Sequence, residues 1–180
     1  MIYYDVIPHT FVGSVYVAAT DKGLCAVMLG DRTRKRFRKQ LAAVFPGEAI
    51  KQDPVQIRPY RKELEEYFAG KRDRFTKPVD LRAIQGPFQR KVLRKLKNLP
   101  LGQVITYGEL ASRAGSPRAA RAVGAAMAAN PVPVVIPCHR VVASSGRLGG
   151  FSGGGLPQKR KLLKHEGVKP TREGLLKANR

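Results

Sequence analysis

The chain has 180 residues, 43% of them hydrophobic, and a formal net charge of +21. That hydrophobic share excludes a disordered basic tail, and the length provides for one large domain or two small ones. No run approaches the roughly 18 apolar residues of a membrane helix, and Met1–Asp5 lacks the basic-then-apolar pattern of a secretion signal.

Thr10–Ala19 alternates loosely, with Phe11, Val15 and Val17 as its apolar positions, and predicts a strand. Asp21-Lys22-Gly23 predicts a turn and Leu24–Leu29 a second strand, so the two read as a hairpin. Arg32–Phe45 predicts a helix with Phe37, Leu41 and Val44 on one face and a dense basic face opposite. Gln56–Phe68 predicts another, with Ile57, Tyr60, Leu64, Tyr67 and Phe68 as its stripe and Gly70 as its stop. Residues 1–80 therefore read as a small α/β domain with an antiparallel sheet and helices, and Lys71–Gly86 as the link to a second domain, residues 81–180.

The second part reads as mostly helical. Pro87 opens a helix lined by Phe88, Val92, Leu93 and Leu96, which Pro100-Leu101-Gly102 ends. Thr106 caps a helix from Tyr107 to about Arg113, with Glu109 at the capping-box position and Gly115 at the stop. Ser116 caps the next, with Pro117 in its first turn, and this helix runs toward Asn130. Two short helices joined around a glycine predict a helix-turn-helix. The second is built from Ala and Gly, and Arg118 and Arg121 share one of its faces. It reads either as a buried small-residue helix with two solvated arginines or as a helix laid against nucleic acid.

Charge bears on that choice. Residues 1–80 carry 15 Lys/Arg against 10 Asp/Glu, and residues 81–180 carry 19 against 3. The excess favours a polyanionic partner through counterion release. On charge alone, a protein merely kept soluble, or a nonspecific RNA or ribosome binder, is an equal reading.

The run Val132–Val141 delivers Cys138 followed by His139 after two prolines. A thiol attacks at neutral pH when its pKa is lowered or a base adjoins it, and the histidine and the surrounding positive charge are expected to supply both. A structural core cysteine is the bland alternative. No Cys/His pair has zinc-ligand spacing, and two cysteines are too few for a disulfide framework. Glu166 follows a basic amphipathic helix, Gln158–Lys164. It reads either as a carboxylate orienting a histidine or as a helix-end surface ion pair. Gly146–Gly155, with five further glycine positions inside it or at its end, reads as a pocket wall for a flat ligand; it lacks the lysine and helix start of a phosphate-binding loop.

Together these segments resemble the O6-alkylguanine-DNA alkyltransferases. The matching stretches are Gly102–Ala111, Arg118–Met127, Asn130–Pro133, Ile136–Val142 and Leu162–Gly167; the similarity is strong over about residues 84–168 and loose over 1–80. The resemblance implies direct-reversal DNA repair, in which Cys138 irreversibly accepts an alkyl group from O6-alkylguanine in double-stranded DNA, once. It implies that His139 takes the thiol proton through a water, Glu166 orients His139, Asn130 supports the Cys138 loop, and Tyr107 protonates the leaving guanine. Arg121 fills the gap left by the flipped base, and Ser116, Arg118, Ala119, Ala120 and Gly124 face the DNA. Val141, Ser144, Phe151 and Ser152 line the base pocket. Phe151 departs from the tyrosine common at that point of the family, and the Gly153–Gly155 run is read as one residue longer than in relatives. No cofactor is implied. Only His9 and Cys25 could serve an N-terminal zinc, so no metal is expected. The expected protein is a monomer with room for cooperative packing on DNA, cytoplasmic, or nuclear in a eukaryote. A nonenzymatic alkyltransferase-like damage sensor is the alternative, and a basic binder with a structural Cys138 is a third reading.

Overall fold

The computed structural model describes residues 1–30, 32–169, 171 and 176. The chain divides into two compact units, Met1–Ala83 and Ile84–Arg180.

In the N-terminal unit, β1 (Ile2–Thr10), β2 (Gly13–Thr20) and β3 (Gly23–Leu29) form an antiparallel meander, and β4 (Ile50–Gln52) adds to β1 in parallel, giving the order β3-β2-β1-β4. The sheet is thus mixed, not purely antiparallel. The strand expected over Thr10–Ala19 is β2, and β1, before it, was not legible as a strand. Side chains alternate between the two sheet faces. One face carries Tyr4, Tyr16 and Ala18, on which α1 (Arg34–Val44) places Phe37, with ring centroids 6.1 Å from Tyr4 and 5.3 Å from Tyr16. The other carries Asp5, which meets Arg61 of α2 (Pro54–Phe68) at 2.6 Å. Thr33 caps α1 and Asp53 caps α2 through their side chains. Val44 is exposed, contrary to the expected stripe; Phe45, just past the helix end, is buried in its place.

In the C-terminal unit, α3 (Pro87–Lys97) packs against α4 (Tyr107–Arg113) and α5 (Ala120–Ala128). The capping box of α4 is complete: Glu109 N–H donates to Thr106 Oγ1 at 3.1 Å, and Thr106 N–H to Glu109 Oε2 at 2.8 Å. Gly115, at φ +80°, turns the chain after α4. The next helix begins later than the sequence predicts. Ser116 does not cap it; Ser116 O accepts from Ala119 N–H at 2.9 Å, closing a turn with Pro117 and Arg118 at its centre. Proline suits the second position of such a turn, which competes with helix initiation there. Arg118 therefore precedes α5 and does not share a helical face with Arg121. A two-residue parallel pair, β5 (Ile105–Thr106) with β6 (Val141–Val142), ties the start of α4 to the chain leaving a 3-10 turn at Cys138–Arg140. Helix α6 spans Gly155–His165.

Candidate active site and nucleic-acid face

The β5–β6 pair sets Tyr107, the first residue of α4, beside the turn that carries Cys138. The turn is approached through Val134, a β-branched residue at φ +77°, a conformation such residues rarely hold and one that stores strain. Asn130 braces the connection. Its Nδ2 donates to Ile136 O at 2.8 Å and to Cys138 Sγ at 3.1 Å, while its Oδ1 accepts from Val132 N–H at 3.1 Å. Cys138 is buried, and burial outweighs the Asn130 and Lys159 contributions, pushing the thiol up from 9.0 to about 11. The lowered thiol pKa expected from nearby positive charge is therefore not present; desolvation of the thiolate is the larger effect.

His139 is fully buried, and its Nε2 lies 2.7 Å from Glu166 Oε1. Glu166 also accepts from Arg140, Nε to Oε2 at 2.8 Å and Nη2 to Oε1 at 2.9 Å. Although burial alone would raise it, the cation and the hydrogen bonds hold the Glu166 carboxyl well below the usual carboxylate range. An ionised carboxylate only accepts, so His139 Nε2 carries the proton. Nδ1 is then the basic nitrogen, and it is buried with no hydrogen-bond partner among the described residues. Burial lowers the His139 pKa, so the ring is neutral at neutral pH.

Lys159 of α6 is completely buried, and its Nζ donates to Val141 O at 2.6 Å, to Gly150 O at 3.3 Å and to Leu148 O. Desolvation pulls it down from 10.5 to about 8. The ammonium thus clamps the glycine-rich loop to β6. A Cβ at Gly149 would stand 3.0 Å from the Tyr107 hydroxyl, and one at Gly153 would collide with Phe151, so glycine is needed where this loop closes on its neighbours. The Phe151 ring lies edge-on to His139, centroids 6.3 Å apart, and Ser152 Oγ donates to Met127 O at 3.4 Å.

Cys138, His139, Glu166, Asn130 and Tyr107 are thus brought together, with Phe151 and buried Val141 beside them. Ser144 is exposed on the turn Ala143–Arg147 and joins none of these hydrogen bonds. Ser116 and Ala119 lie in the turn before α5, while Ala120, Arg121 and Gly124 lie on it; Arg118 and Arg121 are exposed, and a Cβ at Gly124 would meet nothing within 4 Å. Sequence reasoning did not single out Arg140 or Lys159. Lys159 left a signal: with Leu162, Leu163 and Glu166 it follows the i, i+3, i+4, i+7 spacing of a buried stripe. Among the described residues no group of three His, Cys, Asp or Glu is assembled to hold a metal ion, and no helix is long and apolar enough to cross a membrane.

The family model of the 6-O-methylguanine DNA methyltransferase DNA-binding domain matches residues 87–168, and that of the ribonuclease-like domain of the same enzymes matches residues 2–81. The chain is 38% identical to the methylated-DNA–protein-cysteine methyltransferase of Cricetulus griseus, over 92% of this chain and 82% of that one. This chain belongs to the 6-O-methylguanine DNA methyltransferase family. The inducible methylated-DNA–protein-cysteine methyltransferase of Bacillus subtilis is 39% identical over 77% of this chain and 76% of its own. Among solved structures, the Mycobacterium tuberculosis O6-methylguanine methyltransferase superposes with a TM-score of 0.77 at 32% identity, covering 96% of each chain, and its complex with DNA with a TM-score of 0.75. The residues of the candidate site, from Tyr107 to Glu166, lie within the matched DNA-binding domain.

Proposed function

We propose that this protein repairs alkylated duplex DNA by direct reversal, moving the alkyl group from the O6 position of guanine to Cys138 in a single turnover. The observation that carries the reading is the buried chain running from Asn130 and Cys138 through the Cys-His step to His139, Glu166 and Arg140. Cys138 gives its proton, relayed by a water, to His139 Nδ1, and the imidazolium is stabilised by Glu166, which Arg140 keeps ionised. The thiolate forms a carbon–sulfur bond as the carbon–oxygen bond breaks. The electron pair stays with guanine, whose ring accepts a proton from the Tyr107 hydroxyl. A thioether has no easy return path, so each molecule acts once and needs no cofactor.

The damaged edge of guanine is inaccessible inside the duplex, so the base must leave the stack, at a cost of a few kcal/mol. Arg121 on α5 fills the gap and offsets part of that cost. Ser116, Arg118, Ala119, Ala120 and Gly124 form the surrounding contact, and Val141, Ser144, Phe151 and Ser152 the base pocket. The N-terminal unit is structural. The protein acts as a monomer able to pack cooperatively along DNA, in the compartment that holds the genome: the cytoplasm of a prokaryote or the nucleus of a eukaryote.

The test is intact mass and peptide mapping after mixing with a duplex bearing one O6-methylguanine. One methyl group on the Cys138 peptide, saturating at one per molecule and absent in Cys138→Ala, is expected. Tight binding without mass gain would instead make the protein a damage sensor.

A further inference from the structure

The C-terminal unit carries a second concentration of charge, on α3. Val92, Leu93 and Leu96 bury one side of α3, where it packs on α4 and α5. The other side presents Arg90, Lys91, Arg94 and Lys95, which with Pro87 and Asn98 line an open groove of about 550 Å³. Positions 90 and 94, and 91 and 95, are four apart, so the cations stack in two tiers about 6 Å apart along the axis, just over one helical turn. Like charges so placed repel and destabilise the helix that bears them.

Among the described residues of this unit no acid is paired with them. Among the described residues of this unit only Glu109 and Glu166 are acidic. Glu109 takes part in the capping box, and Glu166 binds His139 and Arg140. None of the four cations pairs with a described acid. The groove also adjoins the helix-turn-helix: a Cβ at Gly115, in the turn between α4 and α5, would stand 3.2 Å from Lys91 Nζ.

We propose that this α3 groove is a phosphate track, holding the phosphodiester backbone that flanks the stretch of duplex facing α5. The inference rests on the DNA-binding reading above. Phosphates seated among the four cations replace mutual repulsion with attraction and release condensed counterions, so the groove adds affinity without adding sequence preference.

The experiment measures binding of undamaged duplex across a salt series, for the full chain and for Arg94→Gln/Lys95→Gln. This readout does not depend on alkyl transfer, so its failure is separable from failure of the repair reading. Both side chains are exposed, and thermal unfolding checks that the variant folds. The slope of log affinity against log salt is expected to fall by about 2, close to 0.9 for each phosphate that the variant no longer neutralises. The hydroxyl-radical footprint is expected to shorten on one flank and keep its centre. An unchanged slope, an unchanged footprint border, or an equal loss from the control pair Arg160→Gln/Lys164→Gln on α6 would overturn the proposal.

Discussion

Glu166 is shared between an aromatic base and a guanidinium, and its fully buried side chain depends on both. Replacing Arg140 by Met takes from that carboxylate its guanidinium partner, and removing one member of a buried ion pair costs about 3–5 kcal/mol. Urea unfolding of Arg140→Met measures this, and a loss below about 1 kcal/mol would contradict the pairing. Acid acts on the same cluster. The folded pKa of Glu166 is depressed from 4.5, so its contribution is present above that value and is lost as pH falls through and below it. His139 is depressed from 6.5, so the unfolded chain takes up that proton first, and stability already declines as pH drops below 6.5. Denaturant midpoints are expected to fall steadily from pH 7 to pH 4, with Glu166→Gln flattening the lower part of the decline. Glu166 was legible because acids are scarce in the second half of the chain. Arg140 was not, because arginine is a surface residue by default and only the fold reveals what it is buried against.

At the level of elements, the helices were legible where a cap announced them. Thr106 with Glu109 and Pro87 at a first position fixed two starts. The start of α5 was not, because Ser-Pro signals a turn as readily as a cap. β1 was hidden for a different reason: helices cover both faces of its sheet, which blurs the polar–apolar alternation expected of a half-exposed strand. Strands as short as β4, β5 and β6 carry no pattern of their own, since their pairing is set by the partner. Gly124 tests the role of α5 as a whole. With open space over its Cα, Gly124→Ala is expected to stabilise the helix by up to about 1 kcal/mol. The added methyl also holds the backbone away from a bound duplex. Stability measured by denaturation should therefore rise while affinity for duplex DNA falls; affinity equal to that of the parent would remove α5 from the contact surface.

For the whole molecule, charge asymmetry and the helix-turn-helix pattern were readable in the chain, but the state of its two thiols was not, since desolvation depends on atoms brought in from far along the sequence. Cys25 is pushed up to about 12 and Cys138 to about 11. Alkylating reagents and oxidants react with the thiolate. At pH 8 the shift of Cys138 from 9.0 to about 11 reduces its thiolate about a hundredfold. Iodoacetamide should label Cys138 in the folded protein slower than in the denatured chain by a factor of that order, and equal rates would show the thiol to be unguarded. A protein that can act only once has a shelf life as well as a rate. If Cys138 is the acceptor proposed above, any peroxide or stray electrophile that reached it first would leave the molecule intact in outline and useless, so a thiol kept protonated until the damaged base arrives preserves the working fraction of the stock.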